Sequence, residues 1–268
     1  MTIGTFGQRT ITILIGLPTL IIIVWFGEPW FTLLIALGAV LGNIEFYRMV
    51  IPSKAQSFAY FGLPWSLLFV LSPHFENVAT IPTLVTLTVV LCSIWFLFLP
   101  WREATLGNWA WTITGVLYIG WMLSYWVEIR SLTDGRYWAL LAFLTTFASD
   151  TGAFLVGRTW GKHLLTPKIS PGKTWEGAIG GGVGAIATSL ILSTIFHLRI
   201  NLWQTLLLGF FVSLFAQLGD LVESLLKRNA GVKDSSRLIP GHGGILDRID
   251  SIIFSGAVVY YYVVWIVA

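Results

Sequence analysis

Residues 202–226, LWQTLLLGFFVSLFAQLGDLVESLL, decide the fold class. The run is longer than the roughly 20 residues a helix needs to cross the hydrocarbon core of a bilayer. Its only charges, Asp220 and Glu223, sit near its C-terminal end. A membrane β-strand would need only about 9–11 residues and would alternate strictly. The run does not alternate, so it reads as a transmembrane helix. It leads into a polar segment of a different kind, SLLKRNAGVKDSSRLIPGHGGILDRID, from Ser224 to Asp250.

Working outward, comparable apolar runs lie near 11–26, 30–49, 58–71, 81–99, 109–127, 138–157, 177–197 and 249–268. The prediction is an all-α, polytopic transmembrane protein with about nine transmembrane helices. The run 58–71 is short enough to be a re-entrant piece. Composition agrees: of 268 residues 56% are hydrophobic and only 11% charged, where a soluble domain is about a quarter charged. The mean hydropathy is +0.79. Trp25, Trp30, Trp101, Trp109 and Trp138 fall near predicted span ends, as an interfacial aromatic belt requires. The first run follows Arg9 and is followed by Gly27-Glu28-Pro29-Trp30, which is no small-residue cleavage site. It is read as an uncleaved first helix.

With the N-terminus in the cytoplasm, only Arg130, Arg136 and Arg199 of the 16 Lys and Arg residues fall in outer loops. The positive-inside rule therefore predicts a cytoplasmic N-terminus and, with nine spans, an external C-terminus. This topology accounts for the pI of about 9.1, and a basic inner face suits anionic lipid and nucleotide phosphates. No nucleic-acid partner is expected. Cys92 lies in an apolar run and supports neither a disulfide framework nor a thiolate metal site.

The two halves read differently. Residues 1–137 are expected to be a scaffold of helices joined by short loops, with no charge inside the membrane. Residues 138–268 carry acids within the spans and the two longest cytoplasmic loops, 158–176 and 227–248. Loops of that length between spans are usually functional. The catalytic region is therefore placed in the second half.

Asp150 lies in the sixth span, where a carboxylate needs a protein interior and a partner. In the loop after it, Ser170-Pro171-Gly172-Lys173-Thr174 resembles a phosphate-handling turn but lacks the GxxxxGK[ST] spacing of a P-loop. Glu176 opens the seventh helix, where the helix dipole alone would favour an acid. Gly177, Gly180, Gly181, Gly182 and Gly184 follow, as close-packing residues. Asp220, Glu223, Ser224 and Lys227 are spaced to share one helix face, with an intrahelical ion pair as the modest alternative to a site. Asp247 and Asp250 start the ninth helix at i and i+3.

Asp150, Glu176, Asp220, Glu223, Asp247 and Asp250 can thus gather at the cytoplasmic side. Hard divalent cations prefer such oxygen donors. With Lys227, Arg228, Lys233, Arg237 and Arg248 close by, the pattern suits magnesium-assisted chemistry on a polyphosphate. His242, within Pro240-Gly241-His242-Gly243-Gly244, has no second histidine at metal-ligand spacing, so a zinc site is not expected.

The segment Ser224–Asp250 resembles the signature of the phosphatidate cytidylyltransferases. Its matching elements are Ser224, Leu226-Lys227-Arg228, Lys233-Asp234, Ser236, Ile239-Pro240, His242-Gly243-Gly244-Ile245 and Asp247-Arg248-Ile249-Asp250. The phrases SDTGAFLVGR and ISPGKTWEG within 149–182 are similar to that family too. The resemblance implies condensation of CTP with phosphatidic acid to CDP-diacylglycerol and pyrophosphate, as in phospholipid biosynthesis. It implies Mg2+ as cofactor with K+ as a candidate second cation, and a homodimer in the inner (plasma) membrane with its active site facing the cytoplasm.

Carried onto this sequence, Asp220, Asp247 and Asp250 would bind metal, and Lys227 would neutralise phosphate charge. Ser170, Lys173, Ser224, Arg228, Lys233, Arg237, His242, Gly243, Gly244 and Arg248 would contact substrate. Related readings are a CDP-archaeol synthase, a CTP-dependent polyprenol kinase and, from another class, a cation-coupled transporter. A transporter site would lie near the midplane between repeats, and neither is evident in this sequence.

Overall fold

The computed structural model describes residues 16–52, 59–75, 79–100, 105–236 and 243–267. Within them the helices are α1 (Gly16–Phe26), α2 (Trp30–Val50), α3 (Gly62–Leu71), α4 (Thr80–Leu97), α5 (Leu106–Gly115), α6 (Met122–Ser131), α7 (Gly135–Trp160), α8 (Trp175–Ile195), α9 (Leu202–Asn229) and α10 (Leu246–Tyr262). A π-helical stretch, Val116–Trp121, joins α5 to α6, and another, Val263–Val267, continues α10. The one sheet among the described residues is an antiparallel hairpin of β1 (Leu164–Thr166) and β2 (Ser170–Thr174).

The protein is an all-α polytopic membrane protein. Among the described residues six helices are long and apolar enough to cross a membrane: α2, α4, α7, α8, α9 and α10 with its π-helical end. The sequence expectation of about nine differs for local reasons. Helix α3 has 10 residues, about 15 Å at 1.5 Å per residue, half of a hydrocarbon core. The run 109–127 is helical throughout, with α5 and α6 joined without a break by the π-helical stretch, and the first run falls partly outside the described residues. Helix α4 has only 17% of its span buried, and Leu97, Phe98, Trp203 and Trp265 are exposed. Such outward apolar surface suits lipid, where a soluble protein would hide it.

The chain groups into two compact units, residues 1–127 with 230–249, and 128–229 with 250–268. In the first, α2 is central. Tyr47 donates from its hydroxyl to the Thr112 carbonyl at 3.0 Å, and Asn43 Nδ2 donates to Ser66 Oγ at 3.1 Å. Phe31, Phe46, Phe69 and Ile119 are fully buried around it. Gly120 lets α3 come close, since a Cβ there would lie 2.6 Å from Ser66 Cα.

The second unit is built on glycine contacts. A Cβ on Gly152 of α7 would meet the Gly180 carbonyl oxygen at 2.7 Å, and one on Gly181 of α8 would meet the Ser149 carbonyl oxygen at 2.9 Å. Gly209 of α9 likewise sits against Ile186 Cα, 2.7 Å from a built Cβ. Gly177, Gly180, Gly181 and Gly184 are therefore packing residues, as expected, whereas Gly182 has nothing within 4 Å of a built Cβ; small side chains let helices in lipid touch backbone to backbone. Buried hydroxyls add a Ser149–Ser213 hydrogen bond at 2.7 Å.

The loop between α7 and α8 pairs with itself. The register Leu164↔Thr174 and Thr166↔Ser170 closes around a turn at 167–169. Trp175 N–H donates to the His163 carbonyl at 2.9 Å. Thr174 then caps α8 by accepting from Gly177 N–H at 3.1 Å. Self-pairing satisfies backbone groups of the loop within the hairpin.

Replacing Gly152 by Ala forces α7 and α8 apart against backbone atoms that cannot swing away. A destabilisation of about 1–3 kcal/mol is expected, read as a lower thermal midpoint in detergent. An unchanged midpoint would contradict the packing.

Candidate active site

In the second unit the hairpin delivers Lys173 to α9. Its Nζ lies 2.7 Å from Asp220 Oδ2, with both side chains partly exposed. Ser224, one turn on, donates from Oγ to Asp220 Oδ1 at 3.4 Å, a long contact. Another turn holds the ion pair Lys227–Glu223. Glu223 is fully buried and Lys227 is 11% exposed. Arg228 Nε donates to the Ile169 carbonyl at 3.1 Å, securing the hairpin turn beside Ser170.

Helix α10 meets α9 at Gly219, where a Cβ would lie 2.6 Å from the Asp250 carbonyl oxygen. That contact makes Asp220 and Asp250 neighbours on adjoining helices. Asp220, Glu223 and Asp150 are all close enough to Asp250 for their charges to act on it. Asp150 accepts from Ser251 Oγ at 3.3 Å. Two of these acids carry a lysine each, Asp220 with Lys173 and Glu223 with Lys227. Glu176 has another task. Its Oε2 accepts from Lys162 N–H and His163 N–H at 3.1 and 3.2 Å, and its Oε1 shares a 2.5 Å hydrogen bond with His163 Nδ1. It ties the start of the hairpin to α8.

The first unit holds a second carboxylate cluster. Glu45, toward the C-terminal end of α2 and 3% exposed, accepts four hydrogen bonds from a segment some two hundred residues later. Its Oε1 takes Ser236 Oγ at 2.7 Å and Ile245 N–H at 3.0 Å. Its Oε2 takes Ser235 Oγ at 2.9 Å and Leu246 N–H at 2.8 Å. Asp247 Oδ2 accepts from Ser235 N–H at 3.0 Å, Ser235 Oγ at 2.9 Å and Gly244 N–H at 2.8 Å. Gly243 has φ +80°, which favours glycine. A Cβ on Gly244 would collide with Ser235 Oγ and the Glu45 carboxylate.

Of the residues singled out in the sequence, Lys173, Asp220 and Ser224 come together, and Asp250 adjoins Asp220. Glu223 and Lys227 realise the intrahelical pair. Asp247 and Gly244 meet around Ser235, while Lys233 and Arg248 are exposed. Arg237 and His242 lie outside the described residues. The reading of the first half as free of intramembrane charge is corrected by Glu45, which stands inside the run 30–49. The signal was present, because an acid within a span marks a functional position by default.

The chain belongs to the cytidylyltransferase family, whose model matches residues 7–266. A phosphatidate cytidylyltransferase of Synechocystis sp. is 35% identical over 291 aligned positions, covering 96% of this chain and 96% of its own. The chloroplastic phosphatidate cytidylyltransferase 4 of Arabidopsis thaliana is 34% identical, covering 93% of this chain and 71% of its own. The phosphatidate cytidylyltransferase of Staphylococcus epidermidis is 48% identical over 145 residues, 54% of this chain and 55% of its own. The match thus spans about half the length of the staphylococcal relatives.

Removing one member of the Lys227–Glu223 pair leaves the other buried and uncompensated. Lys227→Met is expected to cost about 3–5 kcal/mol, and adding Glu223→Gln should recover part of it. A double-mutant cycle on unfolding in detergent checks this, and additive losses would show that the pair is not coupled.

Proposed function

We propose that this membrane protein transfers the cytidylyl group of CTP to phosphatidic acid, giving CDP-diacylglycerol and pyrophosphate. The observation that carries the reading is the Lys173–Asp220 contact. It joins the ISPGKTWEG phrase to the acidic face of α9 in a chain that belongs to the cytidylyltransferase family. A phosphate-binding cation and a metal-binding acid are both needed to hold a triphosphate for attack at its α-phosphorus.

A phosphate oxygen of the lipid forms the new bond to the α-phosphorus, the bond from that phosphorus to the bridging oxygen of the β-phosphate breaks, and pyrophosphate leaves. A phosphomonoester is already ionised at neutral pH, so little general-base help is required. Positioning and charge neutralisation carry most of the acceleration. Lys173 neutralises phosphate charge on exchanging its Asp220 contact for substrate. Lys227, held by Glu223, adds positive potential at the end of α9. Ser224 orients Asp220, and Arg228 fixes the turn that carries Ser170.

The donor set fits Mg2+. Among the described residues no three His, Cys, Asp or Glu side chains form a ready metal cage. Mg2+ is commonly held by one or two carboxylates with substrate phosphates completing the shell, and the neighbours Asp220 and Asp250 supply two. When bound, the ion would offset triphosphate charge and polarise the phosphoryl oxygens. Asp247 as a further ligand, K+ as a second cation, and Lys233, Arg237, His242, Gly243, Gly244 and Arg248 as substrate contacts belong to the same proposal. So do about nine spans, a cytoplasmic N-terminus, a homodimer, and a site facing the cytoplasm from the plasma membrane. The positive-inside distribution of Lys and Arg supports that orientation.

Asp220→Asn and Asp250→Asn should each lower lipid-product formation from CTP and phosphatidic acid by at least about 100-fold. Chelating Mg2+ should abolish it in the parent. Full activity in either variant, with membrane insertion intact, would overturn the assignment of these acids.

A further inference from the structure

We infer that Glu45 is a positioning residue for Ser235, Ser236 and the first amides of α10, holding them in the conformation needed for turnover. The activity part of this inference rests on the cytidylyl-transfer reading; the conformational part does not.

Three observations converge. Both oxygens of Glu45 are used, each by one serine hydroxyl and one backbone N–H. All four partners are donors, and a carboxylate is the side chain that accepts at two oxygens while donating nothing. Ile245 and Leu246 stand at the N-terminus of α10, where N–H groups have no partner within the helix. Glu45 takes the place of a local cap, and it does so from another helix. The glycine at 244 is the third observation. Its missing Cβ leaves the space that the Glu45 carboxylate and Ser235 hydroxyl occupy.

Ser235 passes the constraint onward, because its Oγ lies 2.9 Å from both Glu45 Oε2 and Asp247 Oδ2. A hydroxyl has one proton, so it donates to one carboxylate at a time. Asp247 keeps the Ser235 and Gly244 amides in either case. Glu45 therefore sets the place of Asp247 through Ser235 and the Gly244 backbone, without itself approaching a reactant. Gln at this position has nearly the same shape but turns one acceptor into a donor facing donors. Asp keeps the acceptors but withdraws them by a methylene.

The test uses the full-length protein in detergent, with Glu45→Gln, Glu45→Asp and Ser236→Ala beside the parent. Hydrogen–deuterium exchange is followed in peptides covering 243–250 and, as a control, in α7 and α8. Steady-state turnover is measured with CTP and phosphatidic acid. Glu45→Gln should speed exchange at 243–250 while leaving α7 and α8 unchanged, and should lower kcat by about 10–100-fold with a smaller change in KM for CTP. Glu45→Asp should recover part of both losses. Ser236→Ala, which removes one donor and leaves the carboxylate in place, should give a weaker version of the same pattern; it decides the matter if Glu45→Gln does not fold. Parental exchange at 243–250 in the variants would overturn the inference, and so would faster exchange with parental kcat. If the parent itself makes no lipid product, the cytidylyl-transfer reading fails, and the exchange pattern alone still decides whether Glu45 holds the segment.

Discussion

A carboxylate within an apolar helix has to be matched by donors or a cation, and Glu45, Glu223, Asp220 and Asp150 are arranged around that constraint. At the membrane centre an acid costs about 2.5–3.5 kcal/mol on insertion scales, an appreciable fraction of the 5–15 kcal/mol that stabilises a typical domain. Four acids have distinct solutions. Glu45 takes two hydroxyls and two amides, Glu223 takes Lys227, Asp220 takes Lys173, and Asp150 takes the Ser251 hydroxyl. Each solution also fixes a backbone element, because the partner comes from another turn, hairpin or helix.

The second unit uses this constraint to bring chemistry to a helix surface. Glycine contacts along α7, α8 and α9 draw the backbones together, and the hairpin is held by Arg228 on its turn and Glu176 at its base. Lys173 therefore reaches Asp220 from a short, self-paired strand rather than from an open loop. That rigidity matters for phosphoryl chemistry, in which preorganised charge supplies most of the rate. The ion pair offsets the charge of Asp220, and under the proposed function its lysine would turn to phosphate when substrate binds.

Much of the fold was legible in the sequence because its causes are local. Apolar runs such as 202–226 mark helices α7 to α10 to within a few residues, and the spacing of Asp220, Glu223, Ser224 and Lys227 shows their common face. The grouped glycines of 177–184 could be read as packing residues for the same reason. What escaped depends on partners distant in the chain. Glu45 lies in an apolar run with nothing nearby to say that Ser235, Ser236, Ile245 and Leu246 would donate to it. The hairpin is short, and Pro171 and Gly172 within β2 are poor strand formers, so no strand pattern precedes it. The π-helical stretch at 116–121 lies inside what reads as one continuous run and carries the helix on from α5 to α6. The loop signature was visible as chemistry, whereas its packing with the N-terminal helices was not.

The most direct test of the central claim is the fate of each phosphate of CTP. The purified protein would be given phosphatidic acid and Mg2+ with CTP labelled at either the α- or the γ-phosphorus. Cytidylyl transfer predicts that the α-label enters the lipid and the γ-label leaves as pyrophosphate. Label from the γ-position in the lipid, with CDP released, would contradict the account and identify a lipid kinase in its place.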